Sequence, residues 1–230
     1  MSGLNLSTVD LRKVQPGLAS FDDAEPLVAI VDDDACARRS LGELIVGKGW
    51  HPLTFASAEE FLDHTSHASA PNCLILELNL PEMGGLALQQ LIAPRMADTP
   101  IIFLAGQGTV SASVRAMKAG AVEFFTKPTC DEVMTSAIER AIALNRTSLV
   151  KSRETRSIEV SYASLSLRER EVMDLVVSGH LNKVVGFQLG ISEITVKAHR
   201  GQVMRKMRAR SFADLVNMAS KLRASTVSSH

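Results

Sequence analysis

No apolar run in this chain approaches the ~20 residues needed to cross a bilayer. The first 25 residues lack a basic segment followed by an apolar one. A secretory signal is therefore not expected, and the chain reads as cytoplasmic and free of membrane. Cysteine is scarce: Cys36, Cys73 and Cys130 are odd in number and have no metal-ligand spacing. That argues against a disulfide framework and a cysteine metal cage; reduced thiols are expected, with redox sensing as the alternative. There is no internal repeat and no low-complexity block. Net charge is also missing, at zero overall.

What is present is uneven. At 230 residues, 46% apolar and 22% charged, the chain suits two small globular domains better than one. Residues 1–130 hold nine basic and fifteen acidic side chains, a net of −6. Residues 160–230 hold eleven basic and five acidic, a net of +6. Only the rear is charged to meet a polyanion.

Residues 1–25 have no period and read as a flexible tail. From 26, apolar strand-like runs alternate with helical stretches at Ala35–Lys48, Ala58–His64, Gly85–Ile92 and Val110–Ala119, punctuated by Gly49, Pro94 and Gly120. Five strands alternating with helices predict an α/β, doubly wound, five-stranded parallel sheet over 26–145. A helix starting at Asp131 runs past Leu144 towards Lys151. Residues 151–161 are polar with no periodic apolar face, so 146–163 reads as a helix extension and linker. From 164 to 230 the pattern is all-α, with four short helices. Ser166 and Glu169 fit a capping box ahead of Leu167–Ser178. Asn182–Leu189 stops at Gly190, Ser192 caps Glu193–Arg208, and Ser211 caps Phe212–Leu222. Two helices joined by a short glycine-containing turn predict a helix-turn-helix.

The strand ends of the front half carry chemistry. Leu27–Val31 ends in Asp32, Asp33 and Asp34; Cys73–Leu76 ends in Glu77; Ile101–Leu104 ends in Ala105; the last strand ends in Lys127 and Pro128. Acids at the carboxyl ends of parallel strands face the crevice where such folds keep their sites. This pattern resembles the receiver domain of two-component response regulators. The resemblance implies that Asp32 and Asp33 are metal-binding acids and that Lys127 is the fixed cation. It implies that position 77 is the phosphoacceptor, Ala105 the switch hydroxyl position and Phe124 its aromatic partner. It also implies a magnesium site of Asp32, Asp33, residue 77 and the Asn79 carbonyl. Here the phosphoacceptor-equivalent is Glu77, not aspartate, and Ala105 has no hydroxyl. Glutamate adds about 1.3 Å of reach, and misplacement near 1 Å costs ~100-fold where alignment matters. Glu77 is expected to pair with Lys127, and Phe124 reads either as locked in one state or as core.

The rear residues Leu165–Val172, Gly179, Asn182, Lys183, Leu189–Glu193 and Thr195–Arg200 resemble a LuxR-type helix-turn-helix. With the front, they resemble the NarL/FixJ class of response regulators, whose members bind DNA as dimers. In the third helix Val196, Val203 and Met207 share one stripe and should be core. Lys197, Ala198, Gly201 and Arg205 fall opposite and should face the major groove. Lys197 suits a guanine edge and Ala198 a thymine methyl; Gly201 allows close approach. Thr195, His199, Arg200 and Arg205 suit phosphates, as do Asn182 and Lys183 at the start of the second helix. Gly186 departs from the family pattern and is expected to cost that helix ~1 kcal/mol relative to alanine.

The expectation is a transcription regulator, not an enzyme, that binds double-stranded promoter DNA as a homodimer. Its receiver would work without phosphorylation and need no cofactor, although magnesium is compatible with the pocket. A sensor kinase or another regulator is the expected protein partner. The alternatives are an interaction protein that does not act on DNA, and a weakly phosphorylated or metal-responsive receiver.

Overall fold

The computed structural model describes residues 25–106 and 109–227. Of the tail expected over residues 1–25, residues 1–24 lie outside them. The chain divides into two compact units, between Ala141 and Ile142.

In the first unit five parallel strands stand in the order β2-β1-β3-β4-β5. They are β1 Leu27–Val31, β2 His51–Phe55, β3 Cys73–Glu77, β4 Ile101–Ala105 and β5 Glu123–Thr126. The helices between them are α1 Ala35–Gly47, α2 Ala58–Thr65, α3 Gly85–Ile92 and α4 Val110–Lys118. The central strands β3 and β4 are buried along their whole length. That is why they read as unbroken apolar runs and not as alternation. Pro52 sits on the edge strand β2, where a missing N–H costs least. One apolar cluster joins Leu74, Leu76 and Phe103 of the sheet to Phe61, Leu88 and Ala116 of the helices. Gly85 is required by packing: a side chain there would collide with the Glu77 carbonyl, so α3 presses directly on the end of β3. Burial of the Cys73 thiol in β3 pushes its pKa up and leaves it unreactive.

The expected linker is replaced by helix. α5 runs without a break from Asp131 to Ala163, including the polar stretch 151–161. That stretch holds no glycine or proline, so nothing stops the helix, and Ile158 and Tyr162 give it contacts in the second unit's core. The absence of an apolar period there misled the reading because a single buried isoleucine has no period.

The second unit completes itself with α6 Leu167–Val177, α7 Asn182–Leu189, α8 Glu193–Lys206 and α9 Phe212–Val227. The capping box is present: Ser166 Oγ accepts from the Glu169 N–H, and Glu169 Oε2 accepts from the Ser166 N–H. Ser192 caps α8 through the Thr195 N–H, and Ser211 caps α9 through the Asp214 N–H. α8 ends two residues before the expected Arg208, which takes the left-handed φ of 55° in the turn to α9. Gly179 and Gly190 occupy positive φ after α6 and α7, as their helix-stopping role requires. Val196 joins Val172, Val176 and Val185, whereas Val203 and Met207 join Met173, Leu215 and Ala219. Among the described residues no helix is long and apolar enough to cross a membrane.

Candidate phosphoacceptor pocket and nucleic-acid interface

The strand order reverses between β1 and β3, and the carboxyl ends flanking that point form the crevice of the first unit. Asp32 follows β1, Glu77 closes β3, and Lys127 follows β5. The Lys127 ammonium reaches between the two acids, 2.5 Å from Asp32 Oδ2 and 2.7 Å from Glu77 Oε2. Both carboxylates are buried, and the lysine is about a quarter exposed. The other oxygen of each acid is engaged as well: Asp32 Oδ1 accepts from the Asp34 N–H at 3.0 Å, and Glu77 Oε1 from the Asn79 N–H at 3.1 Å. Glu77 Oε2 has a charge partner in Lys127 but lies outside hydrogen-bond alignment. Burial pulls the Lys127 pKa down, but Asp32 and Glu77 outweigh it and hold the ammonium above its ordinary range.

The remaining predicted residues surround this bridge. Asp33 and Asn79 are exposed beside it. Ala105 is buried at the end of β4, and its carbonyl accepts the Lys127 N–H. Phe124 is half-buried against Phe103, with ring centroids 6.5 Å apart. The Lys127–Pro128 peptide is cis. The donors proposed for magnesium are hard oxygens of the right chemistry. In this fold the Lys127 ammonium lies between the two buried carboxylates. Among the described residues no group of three or more His, Cys, Asp or Glu side chains is disposed to hold a metal.

In the second unit α8 presents Lys197, Ala198, Gly201 and Arg205 to solvent on the side away from the buried Val196 and Val203. Lys197 lies 3.4 Å from Glu193 one turn earlier, and both are largely exposed. A pair this open contributes little and gives way easily to a stronger partner. A side chain at Gly201 would meet nothing within 4 Å, so the fold does not demand glycine there. Thr195 is engaged in the helix cap, its hydroxyl 2.8 Å from that of Ser192. His199 is half-buried, and Lys183 is exposed in the first turn of α7.

Arg200 is placed differently from the phosphate contact expected of it. Its guanidinium donates to Asn182 Oδ1 at 3.0 Å and stacks over the Phe212 ring at 4.8 Å. Arg200 and Asn182 thus tie α8 to the starts of α7 and α9. Helical spacing shows this in outline, since Arg200 falls nearer the Val196 stripe than the outward one. The sequence reading also missed Lys206, whose ammonium lies 2.6 Å from Glu169 Oε2. Lys206, with the Ser166 N–H, holds the Glu169 carboxyl down at about 2. Gly186 was read as a defect, yet a side chain there would stand 2.7 Å from the Ile191 carbonyl. The close approach of α7 to the turn before α8 accounts for the glycine.

Two family descriptions match the chain. Residues 28–139 match the response regulator receiver domain, and residues 163–219 match the bacterial regulatory proteins of the luxR family. Response regulator protein TmoT of Ectopseudomonas mendocina is 39% identical over 217 residues, covering 94% of this chain and 98% of that protein. Nodulation protein W of Bradyrhizobium diazoefficiens is 41% identical over 196 residues, covering 85% and 86% respectively. Among solved structures, the response regulator StyR superposes with a TM-score of 0.72 at 36% identity, over 86% of this chain and all of that one. Full-length FixJ from B. japonicum gives a TM-score of 0.53 at 33% identity, over 86% and 98%.

Proposed function

Because this chain belongs to the two-component response regulators of the NarL/FixJ class, we propose that its receiver is held in one state by the Lys127 bridge and is not switched by phosphate. As a family member it is a transcriptional regulator with a LuxR-type DNA-binding domain and a receiver of the kind that pairs with a sensor kinase.

The observation that carries the proposal is the pairing of Lys127 with both Asp32 and Glu77. Glu77 carries its charge one methylene further than aspartate, into the place an incoming phosphoryl group needs. The lysine that would neutralise that phosphoryl group is already committed. Ala105 offers no hydroxyl to follow a new phosphate. Lys127 supplies one positive charge between the two carboxylates, and no magnesium forms part of this reading.

Promoter DNA is read by α8 in the major groove, with Lys197 on a guanine edge, Ala198 and Gly201 beside it, and Arg205 and Lys183 on phosphates. Thr195 and His199 flank the groove; Arg200 and Asn182 position α8. The protein acts as a homodimer. On α4, Val110, Val114 and Met117 repeat at helical spacing and are 82%, 45% and 45% exposed, an apolar stripe suited to a second copy. No enzymatic step forms part of this reading.

The test is the mass in solution and the operator affinity of full-length protein, with and without magnesium and beryllofluoride, at one salt concentration. A dimer that binds equally in both conditions is expected. A monomer that dimerises and binds only with beryllofluoride would restore an ordinary switch at Glu77.

A further inference from the structure

Ile194 is 79% exposed in the first turn of α8. Single exposed aliphatic residues are common and by themselves signify nothing. This one is distinguished by its place. At about 100° per residue, Ile194 lies roughly 180–200° from the buried Val196 and Val203. It therefore stands at the centre of the outward face, with Ala198, Gly201 and Arg205 following it at i+4, i+7 and i+11. The middle of the face that should enter the groove is aliphatic or bare along its first two turns, and the charges of Lys197 and Glu193 lie to one side.

Helix stability does not explain the residue. Isoleucine is an ordinary helix former, and solvent exposure gives its side chain no burial to offset that. A groove-facing role explains it. The first turn of a recognition helix is the part that reaches base edges. On those edges the C5-methyl of thymine is the one apolar group. A β-branched side chain holds essentially one rotamer in a helix, so little freedom is lost on contact. Gly201, which nothing in the fold requires, lets the helix come close enough for a short aliphatic side chain to touch.

We propose that Ile194 is a specificity residue that recognises a thymine methyl group in each operator half-site. The inference rests on α8 being the DNA-reading helix. It also predicts the composition of the site: a thymine next to the position read by Lys197, and so an apolar contact beside a charged one.

The experiment begins by enriching operator duplexes from a randomised library with full-length wild-type protein. Affinities are then measured at fixed salt for wild type, Ile194→Ala and Ile194→Val, on the enriched duplex and on versions with single thymines replaced by deoxyuridine. Deoxyuridine removes the methyl and nothing else. One thymine per half-site is expected to lose about fourfold in wild-type affinity on replacement. Ile194→Ala, which removes the contact from both half-sites, should lose about that factor squared on the thymine duplex and lose nothing further on the deoxyuridine duplex. Ile194→Val should retain the discrimination. If no thymine replacement is silenced by Ile194→Ala, the proposal is overturned, and a protein-facing surface becomes the reading of this residue. If wild-type protein enriches no sequence at all, the DNA-reading premise fails and takes the inference with it.

Discussion

The receiver pocket and the outward face of α8 treat charge in opposite ways. In the pocket two buried carboxylates share one lysine, and Asp33 beside them faces water. On α8, Lys197 and Arg205 stand exposed, with partners on their own helix that contribute little to stability. Charge enclosed in the first unit stabilises a state; charge displayed in the second is free for a polyanion. The same residue types therefore perform different work, and burial decides which.

The largest expected effect breaks the enclosed side of this contrast. Lys127→Ala leaves Asp32 and Glu77 buried without their cation and should cost about 3 kcal/mol, as removal of one partner from a buried pair does. Urea unfolding followed at Trp50, the single tryptophan, reads the first unit directly. Glu77→Gln leaves Asp32 and Lys127 balanced and should stay within about 1 kcal/mol of wild type in the same assay. Equal losses for the two variants would show that the lysine is not the keystone of the pocket.

The displayed side should break differently. Lys197→Ala is expected to weaken operator binding about tenfold and relax the preference at one position per half-site, with folding unchanged. Fluorescence anisotropy on the enriched operator and on single-base variants checks both. A uniform loss on every sequence, with a shallower salt dependence, would make Lys197 a phosphate contact.

Glu169 brings an enclosed charge into the DNA-binding unit and sharpens the comparison through pH. Its carboxyl is lowered from an ordinary value of 4.5 to about 2 in the fold, chiefly by Lys206. The folded state therefore binds this proton more weakly than the unfolded state. The stabilisation is complete above 4.5 and fades as pH falls towards about 2. Urea midpoints of the second unit, followed by helical circular dichroism, should fall across that window in wild type. Glu169→Gln should begin lower and flatten the slope.

The smallest effects separate two helix glycines. Gly201→Ala should raise thermal stability by up to about 1 kcal/mol, because the added methyl meets open space. It should also weaken operator binding. At Gly186 the same propensity gain is offset by collision with the Ile191 carbonyl, so alanine should leave stability unchanged or about 1 kcal/mol lower. A matching rise in both melting curves would show that the α7–α8 turn relaxes to admit the methyl.

Much of the candidate site is legible in the sequence. The acids and the lysine fall at the ends of apolar runs, and a parallel sheet brings such ends to one edge wherever the runs pair. Caps were equally visible, because a capping box is closed by residues three apart. Long-range partners were not. Glu169–Lys206 and Arg200–Asn182–Phe212 join residues on different helices, and no local period records which side chains meet. Arg200 and Lys197 look alike as letters, and only packing makes one an internal tie and the other an exposed cation.

The sequence by itself determined the two-unit layout, the alternating α/β front, the four rear helices and the chemistry of position 77. All of these depend on local periodicity, caps and the identity of single side chains. Tertiary structure decided that Lys127 bridges both Asp32 and Glu77, that residues 151–161 are helix and that Gly186 is needed. Each of those depends on where distant segments come to rest, and burial and close contact exist only once the chain has folded.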